Sequence, residues 1–179
     1  MPRIAALEAP YAPDIQASFD AVMRGKPPLV LFRTLAASER AWAKFRAGSL
    51  LDRGPLSLRQ RELVIDRTCA LAGCEYEWGV HVAIFAEAAG LSPEEVAATA
   101  GPGSAFSGWT AAERALLEAV EALHARATLT DDEFAALRAH YDEAQVFEVL
   151  LLCGFYRMVA YVANGLDLPL EPDAARFAA

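Results

Sequence analysis

Four segments of this chain share one pattern: a hydroxyl residue, then Glu or Gln three positions later, then a largely apolar run. They are Ser57-Leu58-Arg59-Gln60, Ser92-Pro93-Glu94-Glu95, Thr110-Ala111-Ala112-Glu113 and Thr130-Asp131-Asp132-Glu133. In each, the hydroxyl can accept the amide hydrogen of the third residue, whose side chain reaches back to the first amide. This capping box satisfies donors that a helix start otherwise leaves open. Pro93 falls at a first helical position, where its missing N–H costs nothing. Punctuation for strands is nearly absent, so the chain is predicted to be all-α, a helical bundle of about eight helices forming one domain over residues 1–179.

The predicted helices run Asp14 to Arg24, Pro28 to Leu51, Leu58 to Ala72, Glu75 to Ala89, Pro93 to Ala98, Ala111 to Ala127, Asp131 to His140 and Asp142 to Asn164. Gly73, Gly90 and Gly165 fall where left-handed C-caps are expected. The last helix is apolar nearly all round and is expected to be central. Gly101 to Gly108 reads as a loop inside one domain, and the proline-bearing tail from Leu166 as an extended arm.

Hydrophobic residues make up 55% of the 179, and charged residues 22%. That apolar excess leads us to expect a homo-oligomer. The net charge of −8 opposes binding to nucleic acid or an anionic membrane. The apolar stretch Val149 to Ala163 contains Arg157 and is read as too short and too charged to span a bilayer. Three cysteines, Cys69, Cys74 and Cys153, do not make a disulfide framework. With no signal peptide at the start, a cytoplasmic location is expected. No metal-ligand spacing, phosphate loop or serine-hydrolase elbow appears, so no metal or cofactor is expected.

Chemistry concentrates on the predicted helix from Glu75. At 100° per residue, Cys74, Glu77, Trp78, His81 and Phe85 share one face. Cys74 reads equally as a small core residue and as a thiol whose pKa is lowered by the helix entrance. Glu77 and His81, four apart, read as a structural pair or as a proton shuttle. Glu62 lies across the Gly73 turn, on the partner helix of an antiparallel hairpin. Taken alone, it reads as an ordinary exposed charge. Cys69 and Cys153 are read as core, and His124 and His140 as surface residues.

Glu62, Cys74 and His81, with the following Ala89-Gly90-Leu91-Ser92-Pro93-Glu94-Glu95-Val96, resemble the alkylhydroperoxidase D and carboxymuconolactone decarboxylase superfamily. The redox branch has a glutamate, then Cys-x-x-Cys, then a histidine. Here Glu77 stands at the second cysteine position, and the Glu-Tyr-Glu-Trp-x-x-His form resembles a decarboxylase-like subgroup. The resemblance implies an all-α fold, a site on a helical hairpin, and a dimer, trimer or hexamer. It implies Glu62, Cys74, Glu77 and His81 as catalytic residues.

Two enzymatic readings follow. In the first, the protein is a cofactor-free lyase or isomerase acting on a small carboxylated or lactone substrate. His81, tuned by Glu77, moves the proton, and a cation anchors the carboxylate. Arg61, Arg67 and Arg157 are the candidate anchors, with Tyr76 and Trp78 as further substrate-binding candidates. In the second, it is a one-cysteine peroxidase with Cys74 as nucleophile. A third reading is a helical scaffold without chemistry.

Overall fold

A computed structural model describes residues 2–178. Among them are nine α-helices and no strand: α1 Pro13–Met23, α2 Val30–Leu35, α3 Glu39–Ala47, α4 Leu58–Leu71, α5 Glu75–Phe85, α6 Pro93–Ala100, α7 Ala111–Arg126, α8 Asp131–Arg138 and α9 Glu143–Gly165. A 3-10 turn covers Gly103–Ala105. The four capping boxes form at Ser57, Ser92, Thr110 and Thr130, and a fifth forms between Asp142 and Gln145.

Two expectations are corrected. The single helix read from Pro28 to Leu51 is two, broken at Ala36–Ser38, where the Ser38 side chain accepts from the Ala41 amide and starts α3. Gly73 and Gly90 do adopt left-handed φ of 60° and 65°, but Gly165 does not. It closes α9, and the left-handed residue beyond it is Asp167, with φ 52°.

The hub is α4, which packs against α5, α6, α7 and α9. Its residues 62–69 are buried without interruption. Leu63, Val64 and Ile65 meet Leu116 and Leu117 of α7 and Val149 and Leu152 of α9 in one core cluster. Burying each such side chain contributes about 1.5–3 kcal/mol. A helix buried on every side that carries Glu62, Asp66 and Arg67 must find partners for those charges inside the protein.

α9 is 23 residues long with a mean hydropathy of 1.7 over its most apolar window, so by length and composition it could span a bilayer. That is longer than the stretch read from sequence. One stripe of it, including Val149, Leu152, Tyr156 and Val159, is core. Phe147, Leu151 and Tyr161 are exposed.

The tail is the arm that was expected. Its Ala175 amide donates to Gly79 O at 3.0 Å, and the Phe177 amide donates to Glu75 Oε1 at 2.9 Å. A Cβ at Gly79 would strike the Ala175 carbonyl, so the arm lies flat on α5 only because position 79 is glycine.

Candidate active site

α4 ends in a Schellman motif. The Gly73 amide donates to Ala70 O and the Cys74 amide to Cys69 O, both at 2.9 Å. The left-handed Gly73 then reverses the chain into α5, with Cys74 as its N-cap residue. The hairpin sets Glu62, Asp66 and Cys69, spaced by four and three residues on α4, beside Cys74, Glu77 and His81 on α5.

At the far end of the hairpin, His81 Nδ1 lies 2.7 Å from Glu62 Oε2. The other oxygen of Glu62 accepts from Arg61 Nε at 2.9 Å. His81 Nε2 lies 3.4 Å from Glu77 Oε1. Glu62 is 1% exposed, His81 3% and Glu77 6%, so these are low-dielectric contacts rather than surface ion pairs. Burial alone would push the imidazole pKa down. The carboxylates of Glu62 and Glu77 overcome it and raise His81 to about 10. Its position between the two carboxyl groups favours the protonated imidazole. The rings of Tyr156, on α9, and His81 lie perpendicular at 5.0 Å between centroids, and Phe85 packs at 5.3 Å. The Arg61 guanidinium lies over Phe85 at 5.5 Å.

The thiols are different from what an activated nucleophile needs. Cys74 has no exposure. Burial, with the Glu77 charge adding to it, outweighs the Glu77 amide and pushes the thiol up to about 11. The helix entrance therefore does not make Cys74 a thiolate here. Cys69 is core, as read from the sequence; burial, then the Glu77 charge, push its thiol well above the usual range.

Sequence reasoning passed over Asp66 and Tyr156. Asp66 is 1% exposed, and neither of its carboxylate oxygens has a protein partner among the described residues. Burial first, then the Glu62 charge, hold its pKa well above the usual range, against the pull of His81. The signal was present in the sequence as a polar stripe, Glu62–Asp66–Cys69, at helical spacing inside an apolar run. Glu77 also keeps one oxygen, Oε2, without a protein partner.

Of the five substrate-binding candidates, Arg61 alone is bonded to this centre. Arg67 pairs with Glu121 and donates to the carbonyls of Thr99 and Gly101. The Tyr76 hydroxyl accepts from the Leu31 amide at 2.9 Å and bonds Glu171. Trp78 Nε1 donates to Thr99 Oγ1 at 2.9 Å, and its ring packs on Phe177. These three clamp the hairpin to its surroundings. Arg157 meets His124 and Tyr161. His124 is half-buried rather than a free surface residue, and His140 is exposed. Among the described residues, no group of three or more His, Cys, Asp or Glu is arranged to hold a metal ion.

Residues 36–122 match the model of the carboxymuconolactone decarboxylase family. No curated protein matches the chain. Among solved structures, an alkylhydroperoxidase AhpD core protein from Ralstonia eutropha JMP134, described as an uncharacterized peroxidase-related protein, superposes with a TM-score of 0.81 at 19% identity, covering 96% of this chain and 93% of that one. A peroxidase-related protein from Silicibacter sp. TM1040 gives 0.80 at 18% identity, covering 94% and 92%. The debrominase Bmp8, in complex with 2,3,4-tribromopyrrole, gives 0.76 at 16% identity, covering 95% and 92%. At these identities, the likeness is one of fold.

Proposed function

We propose that this chain is a member of the carboxymuconolactone decarboxylase and alkylhydroperoxidase D-like superfamily, supported by the family match over residues 36–122, and that it is a cofactor-free, cytoplasmic, homo-oligomeric lyase or isomerase. Its substrate is a small carboxylated or lactone compound, and its working group is a buried Glu62–His81–Glu77 proton relay. The observation that carries this reading is the buried imidazole bridged between the Glu62 and Glu77 carboxyl groups. Nδ1 is held at 2.7 Å by Glu62, whereas the Nε2 contact to Glu77 is longer, at 3.4 Å. The tight side orients the ring, and the loose side is where a proton can leave.

In a decarboxylation, the bond to the carboxylate breaks, CO2 departs and its electron pair stays on the substrate as an enolate. The His81 imidazolium stabilises that developing charge and then delivers its Nε2 proton to carbon. Glu62 keeps the ring oriented and offsets its charge. Arg61, partly exposed and bonded to Glu62, is placed to receive the substrate carboxylate from the Phe85 side. The test is a panel of carboxylated lactones and β-keto acids followed for CO2 release. Loss of turnover in His81→Gln with retention in Cys74→Ser supports the reading, and the reverse pattern overturns it.

Two observations favour a second reading, a one-cysteine thiol peroxidase. Cys74, Glu77 and His81 lie along one hairpin arm facing Glu62, and two fold neighbours carry peroxidase-related names. Against it stands the buried Cys74 thiol, raised to about 11.

A further inference from the structure

We propose that the groove between α7 and α9, at Arg157, His124 and Tyr161, binds a small organic monocarboxylate with an apolar body, at a site separate from the Glu62–His81 centre.

Arg157 lacks an acidic partner among the described residues. Three other arginines held against the body of the protein meet carboxylates: Arg59 has Glu95 and Glu113, Arg61 has Glu62, and Arg67 has Glu121; half-buried Arg114 donates to the Ser104 carbonyl instead. Arg157 is half-buried, yet no carboxylate pairs with it among the described residues. The chain has 24 acidic side chains against 16 basic ones, so acids are not in short supply. Arg157 instead meets neutral groups. Its Nη1 lies 2.5 Å from His124 Nδ1, its Nε donates to the Tyr161 hydroxyl at 3.1 Å, and its guanidinium lies over the Tyr161 ring at 5.4 Å. Tyr161 is 66% exposed. It holds the guanidinium flat while leaving Nη2 without a hydrogen-bond partner among the described residues.

The space is suited to a small molecule. A cavity of about 370 Å³ is lined by these three residues together with Val120, Leu123 and Leu150. A second, of about 280 Å³, shares Arg157, His124 and Tyr161 and continues toward Asn164. One end of the ligand is thus offered a guanidinium, and the other end apolar walls.

Charge sets the ligand class. Burial, then Arg157 and Arg67, lower the His124 pKa, so its imidazole is neutral at pH 7 and the groove carries one positive charge. A planar monocarboxylate matches a single guanidinium in charge and in geometry. A dianion would leave a charge uncompensated in a protein of net charge −8.

None of Glu62, Glu77 and His81 lines the groove. Its floor includes Thr68 and Cys153, in contact at 3.8 Å. Thr68 lies about a third of a turn around α4 from the Glu62–Asp66–Cys69 stripe.

The test uses benzoate as probe and benzamide as its uncharged counterpart, with the three histidines observed by NMR. Benzoate should shift the His124 ring resonances saturably and raise the His124 pKa, leaving His81 unmoved. Benzamide should do neither. Arg157→Gln should weaken benzoate by about tenfold or more, the loss of one charged hydrogen-bonding group. Tyr161→Phe, at an exposed position, should weaken it less. The proposal is overturned if benzoate leaves His124 unshifted, if it moves His81 instead, if benzamide acts equally well, or if Arg157→Gln binds as tightly as the parent.

Discussion

Glu62 and His81, nineteen positions apart, meet at 2.7 Å across the α4–α5 hairpin, and both are buried. The contact exists because Gly73 turns the chain and because α4 has no solvent-facing side on which Glu62 could sit.

Breaking that contact should be costly. Glu62→Gln removes the anion that both Arg61 and His81 face. Removing one partner of a buried pair costs about 3–5 kcal/mol. Urea unfolding at pH 7 should show a loss of that order. A loss below about 1 kcal/mol would mean that Glu62 is solvated in solution.

The pH dependence has a definite sign. The His81 pKa rises from 6.5 in the unfolded chain to about 10 in the fold. Its contribution to stability is therefore complete below pH 6.5 and is lost as pH rises toward and through 10. Denaturant midpoints should fall across that window in the parent, with a shallower fall in His81→Gln.

Asp66 should behave in the opposite way to a salt-bridged carboxylate. Its folded pKa is raised by burial and by Glu62, with His81 opposing. It therefore weakens the fold progressively as pH climbs above the ordinary aspartate range. Asp66→Asn keeps the shape and removes the ionisation. It should raise stability at pH 8 by on the order of 1–3 kcal/mol, with little gain at pH 4. Thermal melts at both pH values decide this.

Much of this was legible in the chain, for reasons that are local. A capping box is a four-residue interaction, so Ser57, Ser92, Thr110 and Thr130 announce their helices without tertiary help. The spacing of Cys74, Glu77 and His81 likewise fixes their common helix. Glu62 looked exposed because burial of a charge is decided by the neighbours α6, α7 and α9 rather than by Arg61-Glu62-Leu63. Asp66 was missed for the same reason. The break at Ala36–Ser38 was hidden because the apolar positions continue through it, and Ser38 lacks a Glu or Gln three residues on. The pairing of Arg157 with His124 spans 33 positions and carries no motif.

Gly73 offers a test of the turn itself. Its φ is 60°, and a Cβ there would meet nothing within 4 Å, so Gly73→Ala should cost only the left-handed backbone penalty, about 1–2 kcal/mol. A larger loss, measured by urea unfolding, would mean that the hairpin rearranges.

Cys74 should be slow to react. With no exposure and a pKa near 11, it should resist alkylation and sulfenic-acid trapping in the folded protein treated with a slight excess of organic hydroperoxide. Fast, stoichiometric trapping at Cys74, absent in Cys74→Ser, would bring the peroxidase reading to the front.

The most direct measurement is the protonation state of His81 by nitrogen NMR across pH 6 to 11. Both ring nitrogens should carry protons at pH 8, and the ring should titrate near pH 10. In Glu62→Gln that titration should move down. A His81 that is neutral at pH 8, with one bare nitrogen and a titration near 6.5, would contradict the charged relay on which the proposed chemistry rests.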